Sequence, residues 1–165
     1  FGEERVECRK SVFKDLKKSD SFLIKGKKEL ADIMFVMESS NDDGNNDSEK
    51  DTSKLLKKII EALKYKEEEV LVITLKKYAD LFSDDFKKNI NIKILDAKPK
   101  KIIFMGECFR EIICKDNEKV EVSLNSVFKY YNIPSILIYD LSFMIKNPES
   151  KKAIWKAMLE LTKIK

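Results

Sequence analysis

Four short apolar segments, separated by stretches with helical spacing, constrain the fold of this sequence more than any other feature. They cover residues 31–37, 70–74, 102–105 and 135–139. Each has the length and apolar character of a strand that is buried on both faces. Strands that alternate with helices along a chain form right-handed crossovers and a mainly parallel sheet. The sequence therefore predicts a three-layer α/β/α fold around a mainly parallel four-stranded central sheet.

The segments between these strands predict helices and one polar loop within a single domain of residues 1–165. Residues 38–51 are acidic and polar and predict a mobile loop. Residues 90–95 fit either a short alternating strand or an extended connection. Apolar residues at helical spacing predict the helices, at residues 1–20, 52–65, 78–88, 107–114 and 150–165.

Two prolines bracket the last predicted strand and the loop that follows it. Pro134 opens the strand, where a missing N–H does least harm. Pro148 suits the first position of the closing helix, with Asn147 as its cap. Open α/β sheets bind ligands beyond the carboxyl ends of their strands. The sequence therefore predicts that residues 140–146 are a loop at the functional edge.

Composition limits the chemistry that this chain can perform. It has no histidine, which removes the commonest general base and zinc ligand. The cysteines, Cys8, Cys108 and Cys114, lack metal-site spacing and predict buried small side chains in a reduced, cytoplasmic protein. A net charge of +4 is too small to establish a nucleic-acid partner, and no apolar run approaches membrane-spanning length, so no membrane association is expected. The sequence starts at Phe1, which leaves open a processed chain or a fragment.

Four stretches, in order along nearly the whole chain, resemble the uracil-DNA glycosylase superfamily, most closely its iron–sulfur-containing family-four branch. They are residues 31–41, 55–74, 98–106 and 132–148. The last is the most specific: it runs from Asn-Ile-Pro-Ser through Leu-Ser-Phe-Met-Ile-Lys-Asn-Pro, where the family has Tyr-His-Pro-Ser-Tyr-Leu-Leu-Arg-Asn-Pro. The resemblance implies a glycosylase-like fold and a role in DNA replication or repair.

The departures from the family fall at its functional positions. Asp140 stands where the family has the histidine that stabilises the departing base, and Thr74 stands where it has the asparagine that reads uracil. A slip of one residue puts Leu75 at that second position instead. The loop after the family's first strand, Gly-Glu-Ala-Pro-Gly, corresponds here to residues 37–41, and only its glutamate is kept, as Glu38, followed by Ser39. Three cysteines cannot build a four-cysteine cluster, so the sequence predicts no iron–sulfur cluster, no metal site and no other cofactor.

Two functions follow from the resemblance. The first is a non-catalytic glycosylase-like domain that binds DNA or a replication or repair protein. Its candidate phosphate contacts are Lys76, Lys77 and Lys146.

The second is an active base-excision glycosylase with altered specificity. Glu38, Ser39 and Asp140 are then the candidate catalytic residues, which would position and activate water. Thr74 and Ser142 are the candidate base contacts.

Overall fold

The computed structural model describes residues 2–3, 5–6, 22–25, 31–38, 46–75, 84–114 and 122–164, and it describes the side chains of 31–38, 51–75, 87–114 and 122–164. Its strands are β1 (Gly2–Glu3), β2 (Arg5–Val6), β3 (Phe22–Lys25), β4 (Ile33–Glu38), β5 (Val70–Leu75), β6 (Lys101–Met105), β7 (Val127–Tyr130) and β8 (Ile133–Ile138). Its helices are α1 (Asn46–Ala62), α2 (Asp84–Ala97), α3 (Arg110–Cys114), α4 (Leu141–Lys146) and α5 (Lys151–Thr162). Single 3-10 turns occupy Glu67–Glu69, Glu107–Phe109 and Pro148–Ser150.

One mainly parallel sheet organises the fold, which confirms the α/β prediction. Its strand order is β3-β5-β4-β6-β8-β7, six strands in all. The predicted strands β4, β5, β6 and β8 lie side by side in the middle and run parallel. The predicted count of four was wrong, because β3 and β7 pair in antiparallel fashion at the two edges.

Helices cover both faces of this sheet, and each face has its own apolar cluster. On one face, Val36 and Phe104 pack with Ile90 and Ile94 of α2 and with residues of α3. On the other face, inward side chains of α1, α4 and α5 pack on the strands. These inward residues are Ile59, Leu141, Met144, Ile154, Ala157, Met158 and Leu161, and Leu63, directly after α1, packs with them. The alternation of side chains along each strand therefore divides the core into two halves.

Helix α2 corrects the prediction of a strand or an extended connection at residues 90–95. The isoleucines there alternate with polar residues, which suggested a strand, but Ile90 and Ile94 are also four residues apart. Both are fully buried as neighbours on one helical face. The helix predicted at 78–88 is present from Asp84, and residues 78–83 lie outside the described part of the chain.

Two predicted loops are also partly helical. Helix α1 begins at Asn46, so residues 46–51 of the predicted mobile loop belong to a helix, and residues 39–45 lie outside the described part of the chain. Residues 141–146, predicted as loop, form helix α4. Most of residues 1–20, where a helix was predicted, lie outside the described part of the chain. The described residues of this range form the short strands β1 and β2. None of the described helices is both long and apolar enough to span a membrane.

The hairpin that joins β7 to β8 explains the position of Pro134. Tyr131 and Asn132 both have positive φ, 49° and 70°, as a two-residue type I′ turn requires. Pro134 is the second residue of β8, and pairing with β6 starts only at Ser135. The missing N–H of Pro134 therefore removes no hydrogen bond from the parallel ladder, as the sequence predicted.

Candidate functional site

The carboxyl ends of β4, β6 and β8 meet at one edge of the sheet. The chain leaves β4 to form β5 on one side and then crosses to form β6 on the other side. Ligands in open α/β folds bind at such a reversal, in the crevice between the two strands. Glu38 ends β4, and Gly106 follows β6 directly at this point. The topology therefore selects this crevice as the candidate site.

Gly106 makes the turn that directly follows β6 at this edge of the sheet. Its φ of 137° lies in the region that favours glycine. Its N–H donates to the carbonyl oxygen of Ile138 at 2.8 Å, and its own carbonyl accepts from the N–H of Phe109 at 3.1 Å. The turn thus ties β6 to β8, and the side chains of Cys108 and Phe109 lie next to Gly106.

The pKa of the Cys108 thiol is shifted by burial and by the negative charges at this edge of the sheet. Burial is the main cause that raises the pKa of its thiol from 9.0 to about 12, and the negative charges of Glu38 and Asp140 raise it further. Both carboxylates therefore lie within electrostatic reach of one half-buried sulfur. The thiol stays protonated at neutral pH, which removes Cys108 as a nucleophile and supports its interpretation as a core residue.

Asp140 caps helix α4. Its Oδ1 accepts a hydrogen bond from the backbone N–H of Phe143 at 2.7 Å, the geometry of an N-cap residue. The ring of Phe143 also stacks on Tyr139, with centroids 4.1 Å apart. Leu141 and Met144 bury the inner side of the helix against the sheet. The sequence-predicted loop is therefore a short, anchored helix whose first turn is held by the carboxylate of Asp140.

Thr74 is not brought to the side of Glu38. In the parallel pair of β4 and β5, Met37 is aligned with Thr74, and Glu38 is aligned with Leu75. Because side chains alternate along strands, Thr74 lies on the α1 side of the sheet and Glu38 on the α2 side. The two candidate residues are neighbours along the edge but project to opposite faces.

The other candidate residues are more scattered. Ser142 is half-buried in the first turn of α4, and Lys146 is exposed in its last turn. Ser39, Lys76 and Lys77 lie outside the described residues. Within the described ranges, no group of three or more acidic, cysteine or histidine side chains could hold a metal ion.

Sequence reasoning named Asp140 as a candidate catalytic residue but missed its role as a helix cap, and it missed the position of Cys108 at this edge. Cys108 was treated only as core, although it follows a glycine at a strand end, which is where crevices form. The cap formed by Asp140 had a local signal, an aspartate just before an apolar helical stretch, that the expectation of a loop concealed.

Comparison with known proteins adds no relative. No family model matches this chain, and no curated protein is significantly similar to it in sequence. The functional proposal therefore rests on the sequence resemblance and on the geometry of the described residues.

Proposed function

We propose that this chain is a non-catalytic domain of the uracil-DNA glycosylase type that acts as a binding module for DNA or for a protein of replication or repair. The arrangement of the four segments that resemble the family supports this proposal. They supply β4, β5, β6 and β8, which are neighbours in one sheet, with helices on both of its faces. The glycosylase-like three-layer arrangement is part of the same proposal.

The proposal of a non-catalytic domain depends mainly on the hydrogen bond that the carboxylate of Asp140 accepts. The departing base in a glycosylase becomes negatively charged, and the enzyme needs a hydrogen-bond donor or a positive charge beside it. Asp140 supplies a carboxylate, whose Oδ1 already accepts the N–H of Phe143. A second carboxylate, Glu38, also lies within electrostatic reach of Cys108 at this edge of the sheet. The edge therefore repels the charge that the reaction would have to stabilise.

One observation favours the second candidate, an active base-excision glycosylase with altered specificity. Glu38 and Asp140 both raise the pKa of the Cys108 thiol, so two carboxylates lie within electrostatic reach of one group at this edge of the sheet. A carboxylate pair can position and activate a water molecule. On this alternative, Glu38 is the base and Asp140 orients the substrate or the water.

A base-release assay separates the two candidates. Single-stranded and duplex oligonucleotides that carry uracil or a damaged base are incubated with the protein, and abasic product is measured after alkaline cleavage. We expect no product above the level of a protein-free reaction. Excision that disappears in Glu38→Gln but persists in Glu61→Gln, an exposed carboxylate on α1, would establish the alternative.

A binding assay tests the positive part of the proposal. Fluorescence anisotropy with the same oligonucleotides, measured across salt concentrations, detects contacts to phosphates by the fall of affinity with salt. Salt-dependent binding without base release is the expected result. If DNA does not bind, the DNA version of the proposal fails and the protein partner remains, to be sought by crosslinking to replication and repair proteins.

A further inference from the structure

Strand β7 forms one edge of the sheet, and β8 is the one described strand with which it pairs. A two-residue turn joins them, so Tyr130 and Ile133 are the hydrogen-bonded pair next to the turn. Because hydrogen-bonded and non-hydrogen-bonded pairs alternate in an antiparallel ladder, the backbone groups of Val127 and Lys129 point away from β8. These groups form no hydrogen bond within the described part of the chain. The edge therefore presents unpaired N–H and carbonyl groups to a further strand.

The side chains of the same two residues are exposed beside this edge. Phe128 and Tyr130 are buried on the α2 side of the sheet. Val127 and Lys129 alternate with them and project to the other side. Val127 is 36% exposed, which makes it one of three exposed large hydrophobic side chains among the described residues. Lys129 forms no ion pair with any of those residues, so the edge presents one apolar and one cationic side chain.

An extended peptide is the ligand that fits such an edge. Its backbone satisfies the unpaired groups of the edge strand, and its alternate side chains give specificity. A carboxylate opposite Lys129 would form a cross-strand ion pair, and an apolar side chain opposite Val127 would cover it. We propose that β7 binds an extended, acidic segment of a partner protein as an added strand of the sheet. The inference rests on the protein-partner version of the proposed function.

A second copy of this chain is a poorer occupant of the edge. Two β7 strands related by a two-fold axis use both outward residues when the axis passes at Phe128. Val127 of one copy then lies opposite Lys129 of the other, and the two lysines are diagonal neighbours, roughly 7–8 Å apart. Their like charges oppose the pairing, and lysine on an edge strand is a common means of preventing self-association. The charge of Lys129 therefore favours an acidic partner over a second copy.

Amide hydrogen exchange in the free protein tests whether the edge is open. After transfer to deuterated water, NMR spectra give the exchange rate of each amide of β7. The amides of Phe128 and Tyr130 point towards β8 and should exchange roughly tenfold or more slowly than those of Val127 and Lys129. If Val127 and Lys129 are equally protected in the free protein, another segment already occupies the edge, and the inference is overturned.

A phage-displayed library of random octapeptides supplies the probe. Selection on the parent protein should enrich peptides that carry aspartate or glutamate between apolar or β-branched residues. The most enriched peptide is synthesised with a fluorophore, and its affinity is measured by anisotropy. Its addition should slow the exchange of the Val127 and Lys129 amides by roughly tenfold or more, since both gain backbone partners.

Two substitutions at one position test the backbone and the charge separately. Lys129→Pro removes an N–H that points away from β8, so it preserves the β7–β8 ladder and should weaken the peptide roughly tenfold or more. Lys129→Glu should weaken the acidic peptide roughly three- to tenfold and should favour a version with lysine in place of its carboxylate. The matched control is Lys54→Glu, at an exposed position on α1, which should change either affinity by less than about threefold. Circular dichroism checks that all three variants are folded.

The possible failures of the inference have different consequences. If no peptide is enriched, or if Lys129→Pro leaves the binding of the selected peptide unchanged, β7 is not the docking edge. If ultracentrifugation shows a dimer of the parent protein that Lys129→Pro abolishes, the occupant is a second copy and not an acidic partner. The proposed function survives both results, and it fails separately when neither the oligonucleotides nor any replication or repair protein binds the parent chain.

Discussion

The thiol of Cys108 offers a direct probe of the crevice at the carboxyl edge. Its pKa of about 12 in the folded chain, against 9.0 without the protein environment, lowers the thiolate fraction at pH 8. Three pH units correspond to roughly a thousandfold less thiolate, and the greater nucleophilicity of a more basic thiolate restores a factor of roughly 16 to 32. Alkylation of Cys108 should therefore be roughly 30- to 60-fold slower in the folded than in the unfolded chain.

The assay needs Cys108 as the sole thiol. In a Cys8→Ser, Cys114→Ser background, the rate of reaction with iodoacetamide at pH 8 is compared with and without denaturing urea. Glu38→Gln and Asp140→Asn should each accelerate the reaction of the folded chain, because each removes a negative charge that raises the pKa of the thiol. Asparagine also caps helices, so the second variant keeps α4 in place.

The same pKa sets a pH dependence of stability. The unfolded chain releases the thiol proton near pH 9, and the folded chain keeps it until about pH 12. The contribution of this group is therefore fully present below pH 9 and is lost progressively as the pH rises towards 12. Urea unfolding should show a smaller loss of stability between pH 9 and 11 in Cys108→Ala than in the parent. Equal alkylation rates in folded and unfolded chains, or no response to either carboxylate variant, would refute the shared crevice.

Three further predictions concern the local geometry of the fold, and urea unfolding followed by the fluorescence of Trp155, the single tryptophan, measures each of them. Asp140→Ala should lower the free energy of unfolding by about 1 kcal/mol, because it removes the N-cap of α4, and Asp140→Ser should cost only a few tenths; equal losses would show that the cap is not the cause. Gly106→Ala should cost about 1–3 kcal/mol, because a φ of 137° is a backbone conformation that residues other than glycine rarely adopt. A clash is not the cause, because the added Cβ would lie at an ordinary 3.4 Å from the sulfur of Cys108; a neutral effect would mean that the turn relaxes freely. Asn132→Ala should be about 1 kcal/mol less stable than Asn132→Gly because the turn needs positive φ, and equal stability would argue against a type I′ hairpin.

The centre of the sheet could be predicted from the sequence because its strands are buried on both faces. Ile102, Ile103 and Phe104 are all fully buried, so the segment shows a continuous apolar run and not an alternation. The edge strands lack this signal. In β7, Val127 and Lys129 are exposed while Phe128 and Tyr130 are buried, and the hairpin uses Tyr-Asn in place of the common Asn-Gly. Tertiary pairing, and not local composition, identifies β7 as a strand.

The helices were predicted where one apolar face was unambiguous. Leu55, Leu56, Ile59 and Leu63 fit only a helical period, and α1 contains the first three of them. In α2 the isoleucines satisfy two periods at once, and the choice between them depends on the sheet against which Ile90 and Ile94 pack. The sequence in isolation does not contain that information.

The candidate site was predictable in its position but not in the direction of its side chains. The rule that ligands bind at the carboxyl ends of strands predicted this edge of the sheet, and Glu38 and Asp140 both lie there within electrostatic reach of Cys108. Which face each residue takes depends on the register between β4 and β5, and a shift of one residue reverses it.

Under the proposed kinship with the glycosylases, that register also bears on base recognition. Thr74 is turned away from Glu38, and the alternative position, Leu75, is aligned with Glu38 but is apolar and fully buried. In either alignment with the family, β5 places no polar group beside Glu38 that could present both a donor and an acceptor to a base. Thr74→Asn should therefore not confer base recognition, because the new amide would face α1. Leu75→Asn would place its amide on the same side of the sheet as Glu38, but only inside the apolar core. Under that proposal, the packing of β5 opposes base recognition as much as the identity of any one residue does, which agrees with the proposed binding role.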